Sequence, residues 1–441
     1  MRAIVLVVLG SGLLVRHAGA QPAPTPSIAP AVAPEAPPTP TPTPATAPVP
    51  ATPAIATTQA DEPAPPADVT SAAPASVPSG GDTTASAPAP AGPLTFAGIT
   101  ISGSLDAYAT LNPARGATNA APNDLYVFET QANGASVSLA KIALERKAAP
   151  VGFRLDVGFG QTIDIVNATD TAAGMGHDIM RNLEQAYISW AATKSLTLKI
   201  GKMVTHHGME VIESQSNWNY THSLLFSYAI PFTQTGIAVD WVASDKLEAT
   251  LFVVNGLNNT FEGNAFKSPG AQIIYKPTAE VTLIQNFSAF NEQPGDAGGL
   301  TRFDNAVYLF DTVAMYAPSA ALELGLNSDI AYDATLPSDK ILGGAAAYAR
   351  WHANDKIALS GRTELFHDNS SPTLGLPLGM KGNIGEATAT FSYAPSAGLL
   401  LRTEARVDRA FGDFKPFTDK AGTAMSSAQQ ATFILGAVAA F

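Results

Sequence analysis

The chain has no cysteine, which excludes a disulfide framework and any thiolate metal site; oxygen and imidazole ligands would have to carry any metal chemistry. Positive charge is also scarce. Twenty-five Lys and Arg stand against 37 Asp and Glu, a net charge of −12 at pH 7, and no basic run occurs. Nucleic acid and anionic lipid surfaces, which need clustered Lys and Arg, are therefore excluded as main partners. Beyond the N-terminus no stretch offers the roughly eighteen consecutive apolar residues of a membrane helix, so any membrane crossing must be made of strands. Proline is present but concentrated before residue 94, and the folded part is shorter than the 441-residue length implies.

The first twenty residues read as a secretory signal: Arg2, an apolar run from Ile4 to Leu14, then Ala18-Gly19-Ala20 as a cleavage site before Gln21. A retained anchor helix is the alternative, but the run is short and is followed by Arg16 and His17. From residue 21 to 93 the composition falls to Ala, Pro, Thr, Ser and Val with few charges, too little apolar surface to fold. This segment is expected to be a disordered Pro/Ala-rich periplasmic linker, able to reach ~200 Å if stretched as polyproline II.

After Leu94 the pattern changes to alternating segments of about ten residues, joined in turn by short and long connections. The segment 151–159 is the clearest: Val151, Phe153, Leu155, Val157 and Phe159 share one face, and Gly152, Arg154, Asp156 and Gly158 the other. Further strands are expected near 96–111, 134–146, 181–190, 195–203, 234–243 and 246–255. Short turns recur at 276–278, 317–319, 352–355 and 394–396, with longer polar connections between them. The expected fold is all-β, a transmembrane antiparallel β-barrel of about sixteen strands over residues 94–441, fourteen and eighteen being the neighbouring even counts. A soluble antiparallel sandwich also alternates, but the strand length, the strict alternation of loop lengths and the aromatic end Phe433, Leu435, Ala437, Ala439, Phe441 favour the barrel.

One connection stands apart. Residues 204–233 are far too many for a hairpin and too rich in Asn, Ser, Tyr and His for a core element. The segments Gly201-Lys202, Gly208-Met209-Glu210, Asn217-Trp218-Asn219-Tyr220 and Pro231-Phe232-Thr233-Gln234-Thr235-Gly236 together resemble the OmpL-like β-barrel porin-2 family. The resemblance implies a bacterial outer-membrane pore that passes small hydrophilic solutes by diffusion, with no cofactor. The chain departs from that pattern at His222, where a basic residue, often Arg, is expected; this leaves ion preference open. The terminal Phe441 resembles the signal read by the barrel-assembly machinery.

Inward phase selects the pore-lining candidates Arg154, Asp156, Lys199, Glu248, Glu323, Arg402, Glu404, Arg406 and Asp408, since in lipid such charges would each cost a few kcal/mol. For each, an ion pair that braces the wall is favoured over a specific substrate contact. In the long loop, Glu210, Glu213, Asn217, Tyr220 and His222 are constriction candidates. Ser223 to Ile230 is apolar enough to pack on an inner wall or form a short helix before Pro231; an exposed cap is the alternative. His222 beside Ser223 invites a hydrolase reading, but neighbours on a strand point to opposite faces. His206, His207, Glu210 and Glu213 have no clean metal-ligand spacing, and a solvated loop is expected there. The competing class is a non-conducting outer-membrane surface protein whose long loops bind a partner.

Overall fold

The computed structural model describes residues 94–441 apart from positions 116–121, 169–179, 263, 265, 293–302, 304, 372–373, 377–379 and 421–423. The expected signal and linker, residues 1–93, lie outside the described residues. Sixteen long strands follow in order: β1 (Ile99–Leu111), β2 (Gly134–Arg146), β3 (Val151–Phe159), β4 (Leu183–Ala191), β5 (Leu196–Val204), β6 (Thr233–Ser244), β7 (Leu247–Val254) and β8 (Ser268–Thr278). The second half comprises β9 (Val281–Phe290), β10 (Val307–Ser319), β11 (Leu322–Asp333), β12 (Ile341–Asn354), β13 (Ile357–Asn369), β14 (Lys381–Ser396), β15 (Leu399–Phe411) and β16 (Gln429–Ala440). Each pairs antiparallel with its neighbour in sequence. β16 then pairs with β1, from Phe433↔Leu111 to Ala440↔Ser104, and closes the barrel without a free edge.

The first strand differs from the expected one. Leu94–Phe96 is a separate short strand that folds back onto β1, because Ala97 and Gly98 both take positive φ, 50° and 75°, as a tight hairpin turn requires.

Side chains alternate around the whole wall. On β15, Arg402, Glu404, Arg406 and Asp408 are buried while Leu401, Thr403, Ala405 and Val407 face outward. The outer face carries exposed aromatic rings at both ends of the strands, Trp190, Trp241, Trp351 and Tyr316 near the short turns and Phe159, Phe310, Phe411 and Phe433 near the long loops. Such girdles sit at the two membrane–water interfaces. No helix among the described residues is long and apolar enough to cross a membrane.

A packed core lies inside the barrel. Phe128 from the β1–β2 loop, Leu224, Leu225, Phe226 and Phe232 from the β5–β6 loop, and wall residues such as Phe252 and Ile284 form one buried apolar cluster. A barrel of sixteen strands is too wide for its own wall side chains to fill, so this core exists because loops enter it.

Candidate functional site: the loop across the lumen

Residues 205–232 connect β5 to β6 and turn into the barrel. The turn begins at Gly208, whose φ of 87° is left-handed and whose Cβ, if present, would lie 2.7 Å from Ile230 Cδ1. From there the Gly208 N–H donates to Asp311 Oδ2 on β10 at 2.7 Å, and the Met209 N–H donates to Asn327 Oδ1 on β11 at 2.6 Å.

The expectation of a solvated loop at 206–213 is overturned. His206, His207 and Glu210 are 8%, 2% and 6% exposed. His206 stacks on Phe252 of β7 at 4.6 Å between ring centres, and His207 Nε2 lies 2.9 Å from Ser288 Oγ of β9. Burial holds both imidazoles below their ordinary range, His207 at about 3. Nothing local announces this, because the partners come from strands later in the chain.

The middle of the loop is held mainly by its backbone. Glu404 accepts from the Tyr220 N–H at 2.6 Å, the Thr221 N–H at 3.0 Å and the Thr221 hydroxyl at 2.5 Å. Arg402 donates to the carbonyls of Ser214 at 2.5 Å and Asn217 at 2.6 Å; Arg362 donates to that of Thr221 and Arg406 to that of His222. Within the apolar run 223–230, for which wall packing or a short helix is the expectation, the helix Leu224–Tyr228 forms. Ser223 caps it by accepting the Phe226 N–H, and Glu364 on β13 accepts the free amides of Leu224 at 2.8 Å and Leu225 at 2.6 Å.

Loop side chains complete the interlock. Glu210 accepts from the Ser223 N–H at 2.7 Å and from Arg362 Nη1 at 2.7 Å. Burial pushes its carboxyl up, but Arg362, His222 and Ser223 outweigh this and hold it below the ordinary value. Asn217 bridges both backbone groups of Val211. The Tyr220 hydroxyl donates to Asp106 of β1 at 2.6 Å, with its ring against Gly436 of β16, where a Cβ would lie 2.4 Å from the ring. His222 packs against both Phe128 and Phe226, 4.4 and 4.6 Å from their ring centres, and those two rings touch each other at 5.9 Å.

His222 and Ser223 do not sit on a strand, contrary to the assumption made above. Their separation has another cause: the Ser223 hydroxyl donates to Glu210 at 2.9 Å, while His222 Nε2 faces the Val211 carbonyl at 2.8 Å.

Other inward charges are held within the wall. Lys141 of β2, buried, contacts Asp156 and Glu184 at 2.9 Å each and also Glu213 of the loop. Arg154 contacts Asp156 at 2.8 Å and Glu145 at 3.0 Å. Lys199 pairs with Asp240, Glu248 with Lys276 at 3.2 Å, and Glu323 with Arg350 at 2.5 Å and His352 at 2.8 Å. Arg362, Glu364, Asp106 and Lys141 were missed from sequence. The Arg-x-Glu phase of Arg362 and Glu364 repeats that of Arg402 and Glu404 and could have found them. Between the loop and strands β1 to β5 a cavity of about 350 Å³ remains, lined by Lys141, Arg154, Tyr187, His206 and Glu213 among others.

A closed sixteen-stranded barrel with girdled outer face, charged inner wall and a long loop folded into its lumen defines an outer-membrane channel. Residues 98–441 match the family model described as "Putative beta-barrel porin-2, OmpL-like". The chain belongs to this family and is an outer-membrane porin. Solved structures with a similar fold include the outer membrane channel DcaP of Acinetobacter baumannii, at 10% identity and TM-score 0.51 over 80% of this chain and 100% of that one. Pseudomonas putida OprB matches at 11% identity and TM-score 0.51 over 78% and 94%, and an anion-selective porin from Comamonas acidovorans at 9% and 0.50 over 78% and 99%. No curated protein matches the chain.

Proposed function

We propose that small hydrophilic solutes diffuse through this porin along one side of the lumen, between the inserted loop and the wall of β1 to β5. The observation that carries this reading is the anchoring of the loop backbone by Arg362, Glu364, Arg402, Glu404 and Arg406, which commits that wall to the loop while a cavity of about 350 Å³ remains opposite. In this reading Arg402, Glu404, Arg406 and Asp408 position the loop instead of lining water. Glu210, Asn217, Tyr220 and His222 set its shape, Arg154 and Glu213 border the passage with Asp156 buried behind Arg154, and Lys199, Glu248 and Glu323 brace the wall. Passage needs no catalytic step and no cofactor.

The outer surface would be solvated by outer-membrane lipid. Phe441, outward-facing over Gly103 with reciprocal backbone hydrogen bonds to it, is a suitable end for recognition by the barrel-assembly machinery. Planar-bilayer recording tests the reading. The parent should give a small unit conductance, and deletion of Glu210 to Tyr220 should raise it several-fold, with the barrel still heat-modifiable. Equal conductance in the two would rule the loop out as the constriction; no conductance in either would favour a surface protein with partner-binding loops.

A further inference from the structure

Charge along the remaining passage is not balanced. Of the Lys, Arg, Asp and Glu side chains that line the cavity, Glu210 is paired with Arg362 at 2.7 Å, which leaves Lys141, Arg154 and Glu213. Lys141 is shared among Asp156, Glu184 and Glu213, and Arg154 between Asp156 and Glu145. Two cations thus meet four carboxylates, a formal excess of two negative charges in the cluster; Glu213 lines the cavity, while Asp156, Glu184 and Glu145 stand behind Lys141 and Arg154. Direction reinforces number. The Lys141 ammonium has three protons and three carboxylate partners, while Arg154 spends Nε and Nη2 on Asp156 and Nη1 on Glu145. An anion entering at Lys141 would have to displace a carboxylate already on its donors, and at Arg154 only two of the five N–H groups lie outside these bonds, whereas a carboxylate oxygen retains lone pairs for an entering cation.

The arginines of β13 and β15 are screened from this path. Arg362, Arg402 and Arg406 are 3%, 6% and 2% exposed and already hydrogen-bonded to the loop. Their charge is spent on carbonyls and buried carboxylates.

We infer that the passage prefers cations, and that Lys141, with the carboxylates gathered around it and around Arg154, sets that preference. The assignment rests on the passage proposed above and specifies its selectivity. The relevant solutes are small cations and protonated amines.

Reversal potentials in a KCl gradient, with purified protein in neutral planar bilayers, test the assignment. The parent should pass K⁺ in preference to Cl⁻. Glu213→Gln and Glu145→Gln should each lower the K⁺/Cl⁻ permeability ratio, and Lys141→Gln should raise it, each by a factor on the order of two to four, the Coulomb effect of one unit charge several ångströms from an aqueous ion path. Opposite signs from opposite charges are the signature. Glu145 lies on β2 at the short-turn end and makes no contact with the loop in the hydrogen bonds and ion pairs above, so its variant separates selectivity from loop displacement, which would also change conductance. If Lys141→Gln fails to fold, the two Glu variants decide. Ratios equal to the parent's in Glu213→Gln and Glu145→Gln, or a parent that prefers Cl⁻, would overturn the assignment. A parent without conductance would overturn the passage itself, and this inference with it.

Discussion

The two sides of the inner wall carry the same kinds of side chain and use them for different ends. On β13 and β15, Arg362, Glu364, Arg402, Glu404 and Arg406 reach across to amides and carbonyls of the β5–β6 loop. On β2 to β4, Lys141, Arg154, Asp156 and Glu184 mainly satisfy one another, and Glu213 is their link to the loop. A wall that holds the loop by its backbone specifies the loop's path more than its side chains. A wall that pairs with itself is left facing space. The lesson is that inward phase places a charge inside the barrel, while the partners within reach decide whether it holds the loop or its own wall.

The sharpest way to break the comparison is to remove one partner on the committed side. Arg406 holds Asp408 at 2.7 Å and the His222 carbonyl at 2.7 Å, and it is almost fully buried. Arg406→Met strands those groups and should cost about 3–5 kcal/mol, read as a lower urea midpoint for unfolding in detergent. Glu404→Ala comes next. It leaves the Tyr220 and Thr221 amides without acceptors and should cost about 3 kcal/mol locally, accelerating exchange of those two amides by about a hundredfold. Exchange equal to the parent's would mean that the carboxylate does not anchor the loop.

Acid should loosen the loop more gently. Glu210 is held below its ordinary value, so its contribution is complete above about pH 4.5 and lost as pH falls through the folded value. His206, His207 and His222 are held below 6.5 by burial, so a released loop takes up protons first and the folded loop is penalised as pH drops below 6.5, for His207 down to about 3. Both signs agree. Protection of the loop amides, corrected for intrinsic exchange, should be flat above pH 7 and fall from about pH 6 downward; rising protection in acid would contradict the burial of these rings. The smallest effect belongs to the Glu248–Lys276 pair, about a third exposed at 3.2 Å. Lys276→Gln should change stability by less than about 0.5 kcal/mol and leave conductance unaltered.

Much of the shell was legible in consecutive residues. β2 and β3 have the expected bounds, and β15 alternates charge and apolar side chains as its sequence does. A period of two is a local property, and lipid outside with polar groups inside enforces it at every step. The helix Gln161–Val166 was missed because six residues carry no helical period, and the turn at Ala97-Gly98 because the strand expected near 96–111 ran through it.

The sequence by itself therefore determined the closed barrel, the phase of its wall and part of the set of charges inside. It also determined that one connection was too long to be a turn. Tertiary structure alone decided where that connection went and which charges it consumed. Tyr220 and Glu404 are 184 positions apart, and only closure of β16 onto β1 brings the far wall opposite the β5–β6 loop. A buried carboxylate or guanidinium must find partners or pay a large desolvation cost; which partners are in reach is set by the circumference of the barrel, a quantity that no local pattern contains.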